Sequence, residues 1–277
     1  LIPAPEGTPN ADRCEAGLRR ASAIHPRAMV DPGAQIASGV EVGPNTIIGP
    51  DVVVSEGTRI GANCLIEGWT SIGKQCRIFH SAVLGVEPQD VKYGGERAFV
   101  RIGDGNIIRE FVTVHRATGE GKETRIGDSN FIMAHAHVAH NCTVGNGTVI
   151  ANTVNMAGHV TIEDFANVSG GTVIHQFVRI GKYSYIGGGV RIPMDIAPYV
   201  MVAGYPARVN GLNAVGLKRH GFSAGTRQTL KEAYGLIFRS NLNVSQAVER
   251  IRQEIELLPE VLYLIEFIER SERGITL

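Results

Sequence analysis

The stretch "IEDFANVSGGTVIHQFVRIGKYSYI", residues 162–186, decides the fold. An Ile or Val falls on every sixth residue, at Ile162, Val168, Ile174, Ile180 and Ile186. A period of six is neither the 3.6 of a helix nor the 2 of an alternating strand. It is the beat of a hexapeptide solenoid, in which three short strands make one 18-residue coil and the coils stack. The beat holds outward from Ile24 to Ile192, where 26 of 29 such positions are Ile, Val, Leu or Met. The apolar content of 43% would give about 12 by chance. These residues therefore predict a mainly β chain wound into a three-sided parallel β-helix of about nine coils, roughly 45 Å long. Side chains alternate along a strand, so the residue two before each anchor also points inward. That slot holds Ala28, Ala34, Thr58, Cys64, Cys76, Ala82, Cys142 and Thr172. Three of the four cysteines are thereby assigned to the core rather than to nucleophilic chemistry.

The beat fails twice, at "GVEPQDVKYGGERAFVR" (85–101) and "HRATGEGKETR" (115–125). Both stretches are polar and Gly-rich and are expected to be loops thrown out from a corner of the prism, where function often resides. The β-helix is expected over 22–206, after an arm at 1–21 that lacks the apolar run of a signal peptide. A small helical domain is expected over 207–277. Ser223 would cap a helix bearing Leu230, Tyr234 and Ile237. Val244, Val248, Ile251, Ile255 and Leu258 form a second stripe. Pro259 would open a third helix with Val261, Leu264, Ile265 and Ile268 on one face.

Lys and Arg number 27, as do Asp and Glu, so bulk attraction to nucleic acid is excluded. No apolar run reaches 18 residues, so no membrane insertion is expected. Four cysteines without a signal peptide suit the reducing cytoplasm.

The second motif of interest is "FIMAHAHVAHNCTVGN", residues 131–146, with His135, His137 and His140. Residues 18 apart sit in adjacent coils. His159 therefore falls beside the position above His140, and His175 and Gln176 fall one coil further. If the second loop inserts six residues, His115 lies below Ala139. One edge would then carry a stripe of imidazoles about 15 Å long, suited to a nucleotide-sugar or a pantetheine arm. A metal reading is the alternative. The His135–His140 spacing before "NCTVG" resembles the zinc pattern of γ-class carbonic anhydrases, which take ligands from two subunits.

Six motifs, "QDVKYGGE", "VTVHRAT", "AHVAHNCTVGN", "MAGHVTI", "TVIHQF" and "GLKRHGF", occur in that order. Together they resemble the acyl-carrier-protein–UDP-N-acetylglucosamine O-acyltransferases, which begin lipid A synthesis, across roughly residues 22–273. The resemblance implies a left-handed helix, whereas the general crossover rule alone would give a right-handed one. It implies transfer of an acyl chain from acyl carrier protein to the 3-position of UDP-N-acetylglucosamine. The thioester is already activated, so no cofactor and no metal are called for. In this resemblance His140 is the general base and the Gly158 N–H holds the oxyanion. Asp90, Lys92, His115, His137, Asn141, His159, His175 and Gln176 line the substrate site. Asn213 and Arg219 bind the nucleotide, and Gly188 leaves room for a long acyl chain. The family usually has Asp where this chain has Asn141. A homotrimer with sites between subunits is implied. So is docking of the acidic carrier on Arg208, Lys218, Arg219, His220 and Arg227.

Overall fold

The structure, a computed structural model, describes residues 21–277; the expected arm at 1–21 lies outside the described residues but for its last one. Hexads become two-residue strands separated by tight corners. The strands stack into three parallel faces. The first face begins with Ala23–Ile24, the second with Met29–Val30 and the third with Gln35–Ile36. The anchors fill the prism, and Ile48, Ile66, Ile72, Leu84, Ile132, Met156 and Ile162 are fully buried. Thr58, Cys64, Cys76, Ala82, Cys142 and Thr172 occupy the small inward slot and are buried as well.

Adjacent coils pair residues 18 apart, as in His137 with Asn155 and Asn155 with Val173. Val83 pairs with Thr113, a step of 30, and Thr113 with His137, a step of 24. The two loops thus insert twelve and six residues. Both leave from the edge between the second and third faces, because each follows a second-face strand and precedes a third-face strand. The loops are shorter than expected, spanning 87–98 and 116–122. Val86 still pairs with His115. Phe99–Ile102 pairs along its full length with Trp69–Ile72 below and Glu123–Ile126 above. Backbone hydrogen bonds, not the hexad, hold those extra residues in the sheet.

The helical region also starts later than 207. Val200–Ala203 and Arg208–Leu212 form an antiparallel hairpin that ends the first face. Helix α1 (Ala214–Arg219) follows, a short helix with no stripe to announce it. In α2 (Ala224–Phe238) the Ser223 hydroxyl accepts from the Thr226 N–H, and Leu230, Tyr234 and Ile237 are buried. Helix α3 (Val244–Glu254) opens on a capping box of Asn243 and Gln246. Helix α4 begins at Pro259 (Pro259–Glu269). Tyr263 of α4 donates to Glu163 at 2.5 Å, and the Arg179 guanidinium lies 4.3 Å over the Phe267 ring. These contacts seat α4 on the upper coils. No helix among the described residues is long and apolar enough to cross a membrane.

Candidate active site

His140 lies in the corner that follows the strand His137–Val138, on the edge from which both loops emerge. Its neighbour Asn141 takes a left-handed turn conformation (φ 59°) and points its amide back at the ring. His140 Nδ1 and Asn141 Oδ1 are 2.8 Å apart. The amide's orientation is fixed by the second loop. The Thr118 N–H donates to Asn141 Oδ1 at 3.0 Å, and Asn141 Nδ2 donates to the Thr118 carbonyl at 3.0 Å. A flipped amide would set N–H against N–H and oxygen against oxygen. Oδ1 therefore faces Nδ1, which must carry the ring proton. In the neutral ring the lone pair then sits on Nε2, the tautomer a proton acceptor at that atom needs.

Gly158 sits one coil above. A Cβ built there would stand 2.5 Å from both Cε1 and Nε2 of His140, so only glycine admits the ring at this spacing. Among the described residues the Gly158 N–H has no acceptor. The His140 ring and an uncommitted backbone donor thus share one corner.

The neighbouring rings continue the stripe. His159 meets His140 edge-on at 5.3 Å between centroids and stacks on Phe177 at 4.6 Å. His115 meets His137 edge-on at 4.9 Å. His115 is buried, its Nδ1 lacks a partner, and desolvation, helped by the nearby His137 and His140, pushes its pKa down to about 4. Burial also lowers the pKa of His137 and of His159. Burial disfavours the charged form of all three rings, which suits them to serve as hydrogen-bonding walls. The His137 Nδ1 lies 2.7 Å from the Thr113 hydroxyl. His175 and the exposed Gln176 hold the same corner one coil higher, with Arg273 3.3 Å from the His175 Nδ1.

The first loop brings Asp90 to 3.9 Å from His140 Nδ1. Its carboxylate accepts from the Lys92 N–H at 3.0 Å, and that bond is the main cause of its lowered pKa. Lys92 itself is exposed. The loops are tied together by Arg116, which bonds the Gly85 carbonyl and the Tyr93 hydroxyl, and by the Gly119 N–H on Glu96. The sequence reading missed Thr118, Arg116 and Tyr93. Their roles depend on loop conformation, which no periodicity reports.

Other expected site residues stand elsewhere. Gly188 is on the edge between the first and second faces, exposed, beside Gly170. Asn213 is near the edge between the third and first faces, where its side chain caps α1 and donates to the Tyr183 carbonyl. Arg219 is exposed at the end of α1. In the basic cluster, His220 lies against Phe165 and Tyr183, and the Arg227 Nε donates to the Phe222 carbonyl. Arg208, Lys218 and Arg219 remain as its exposed charges. His135 is on a different corner from His140 and stacks on Phe111 at 4.8 Å, so the two do not converge within the chain. Cys142 is buried and donates to the Ala157 carbonyl at 3.2 Å, and burial pushes its thiol up to about 12.

A stacked hexapeptide prism with a histidine edge beneath two inserted loops defines a hexapeptide-repeat transferase, and the "bacterial transferase hexapeptide" pattern matches residues 22–56 and 123–158. The model for "Udp N-acetylglucosamine O-acyltransferase; Domain 2" matches residues 195–276. An acyl-[acyl-carrier-protein]–UDP-N-acetylglucosamine O-acyltransferase from Syntrophobacter fumaroxidans is 47% identical over 91% of this chain and 98% of its own length. The enzyme of that name from Myxococcus xanthus is 48% identical over the same shares. The crystal structure of a UDP-N-acetylglucosamine acyltransferase from Bacteroides fragilis superposes with a TM-score of 0.89, at 40% identity, covering 91% of this chain and 99% of its own. The chain belongs to the acyl-[acyl-carrier-protein]–UDP-N-acetylglucosamine O-acyltransferase family, and its β-helix is left-handed. The zinc-hydratase alternative finds no support in these relatives.

Proposed function

We propose that this chain transfers an acyl group from the thioester of acyl carrier protein to the 3-hydroxyl of UDP-N-acetylglucosamine, with His140 as general base. The observation that carries the reading is the Thr118-locked Asn141 amide, which puts the lone pair of the neutral His140 ring on Nε2, packed against Gly158. Nε2 takes the hydroxyl proton as the sugar oxygen attacks the thioester carbonyl. The carbonyl oxygen gains negative charge and is held by the Gly158 N–H, a fixed dipole that needs no reorganisation. Collapse breaks the carbon–sulfur bond, and the imidazolium returns its proton to the departing thiolate. The thioester supplies the driving force, so the reaction needs no cofactor and no metal.

In this reading His137 and Lys92 contact substrate phosphate, and Asp90, His115, His159, His175 and Gln176 line the sugar and acyl pocket. Asn213 and Arg219 hold the nucleotide, and Gly188 leaves the acyl groove long. These residues occupy three different edges of the prism, so one chain does not gather them. A homotrimer, a closed three-fold assembly, would bring different edges of neighbouring subunits together. Arg208, Lys218 and Arg219 offer a basic landing surface for an acidic carrier. Among the described residues the thiols of Cys64, Cys76 and Cys142 are buried and free, which suits a reducing cytoplasmic setting.

The test is direct. Mixing the protein with acyl-loaded carrier and UDP-N-acetylglucosamine should release carrier thiol in step with acylated sugar nucleotide. Thiol release that does not depend on the sugar nucleotide, or none at all, overturns the reading.

A further inference from the structure

General-base work at His140 creates an imidazolium in a covered corner, and a charge there is costly without a counter-charge. Asn141 is neutral and sets only the tautomer. The titratable groups around the ring are His159 from the coil above, His115 and His137 from the second face, and Asp90 from the first loop, with the exposed Lys92 next to Asp90. Of these, Asp90 alone is an anion. Its Oδ2 stands 3.9 Å from the same Nδ1 that donates to Asn141, and both side chains are largely covered, with 17% and 14% of their surfaces exposed. At that separation the contact is not a hydrogen bond, and it becomes an ion pair only when the ring is protonated. The loop itself is held in place by Arg116, which is buried and bonds both the Gly85 carbonyl and Tyr93.

We propose that Asp90 is a positioning and charge-balancing residue for His140. Its carboxylate offsets the positive ring that forms as the sugar hydroxyl gives up its proton, while Asn141 keeps the ring proton on Nδ1. The two tasks that one adjacent carboxylate could perform are divided here between an amide in the corner and an acid in the loop. The proposal rests on His140 being the base. It gives Asp90 a task beyond lining the sugar pocket.

The experiment compares wild type, Asp90→Asn, Asn141→Asp and the double variant in acyl transfer from acyl carrier protein to UDP-N-acetylglucosamine. Asn at position 90 keeps an oxygen for the Lys92 N–H, so the loop turn survives. Asp90→Asn should lower kcat by about ten- to a hundredfold with KM for the sugar nucleotide within about twofold. The double variant, with the carboxylate moved next to His140, should recover to within about fivefold of wild type. A raised KM with kcat unchanged would make Asp90 a sugar contact only and overturn the proposal. So would a double variant no better than Asp90→Asn. His140→Ala is the separating control: if it turns over normally, the base assignment fails first, and the Asp90 result is then attributed to another group.

Discussion

Gly158→Ala is the sharpest single perturbation this corner allows. The added Cβ would stand 2.5 Å from His140 Cε1 and Nε2 and 3.1 Å from Nδ1. Non-bonded carbons settle at about 3.5–4.0 Å, so the ring must retreat by about 1 Å. It has little freedom to do so, because Nδ1 is tied to Asn141, whose amide is in turn tied to Thr118 on both sides. A displacement of about 1 Å at a reacting centre costs about a hundredfold in rate, and the intruding methyl also crowds the oxyanion donor. We expect kcat to fall by about 10²–10³. Gly158 does not use a left-handed φ, and the three nearest atoms to the new Cβ all belong to His140, so the fold should tolerate alanine. The thermal midpoint should shift by less than about 2 °C. The assay is carrier-thiol release at saturating substrates, paired with a melting curve. A kcat within about threefold of wild type would show that the ring and Gly158 do not work together.

Further predictions follow from burial and capping. Cys142→Ala should keep kcat within about threefold, and the native thiol should resist alkylation, since burial raises it to about 12. Rapid loss of activity on alkylation of Cys142 would contradict this. Burial holds the His115 pKa at about 4 in the folded chain, against about 6.5 for a solvated imidazole. The unfolded chain therefore takes up that proton first. Its stabilising contribution is full above about pH 6.5 and is lost as pH falls toward 4, with a ceiling of about 3 kcal/mol. Urea unfolding at pH 7.5 and 5 should show a shallower pH dependence for His115→Gln, and equal slopes would refute the assignment. Ser223→Ala removes the acceptor for the Thr226 N–H and should cost about 1 kcal/mol of stability, read by the same unfolding.

The six-residue beat made the prism legible because each anchor is selected for one thing, filling the interior. The same register carried the histidines to one edge, and the six-residue insertion that places His115 below Ala139 is the step of 24 between Thr113 and His137. Legibility ended where the backbone departs from the hexad. Val86 and Phe99 extend their strands by ladder pairing alone, so the loops are shorter than the broken pattern suggests. The hairpin at Arg208–Leu212 and helix α1 are too short for a periodic signal. Asn141 is placed at the substrate site by its motif, but its partner Thr118 was not foreseen, because a loop carbonyl and N–H leave no mark in composition. Asp90 was placed at the pocket from its motif, while its 3.9 Å approach to the ring depends on the fold of the loop. Asn213 is placed at the nucleotide by its motif, while the cap its amide gives α1 depends on a helix too short to be announced by the sequence.

The central claim is that one ring on the histidine edge removes the sugar proton. Single-turnover acyl transfer by His140→Ala, with enzyme in excess over acyl carrier protein, tests it without interference from product release. The account predicts a chemical step at least about a hundredfold slower than wild type, with sugar-nucleotide affinity within about threefold. A chemical step at the wild-type rate would contradict it.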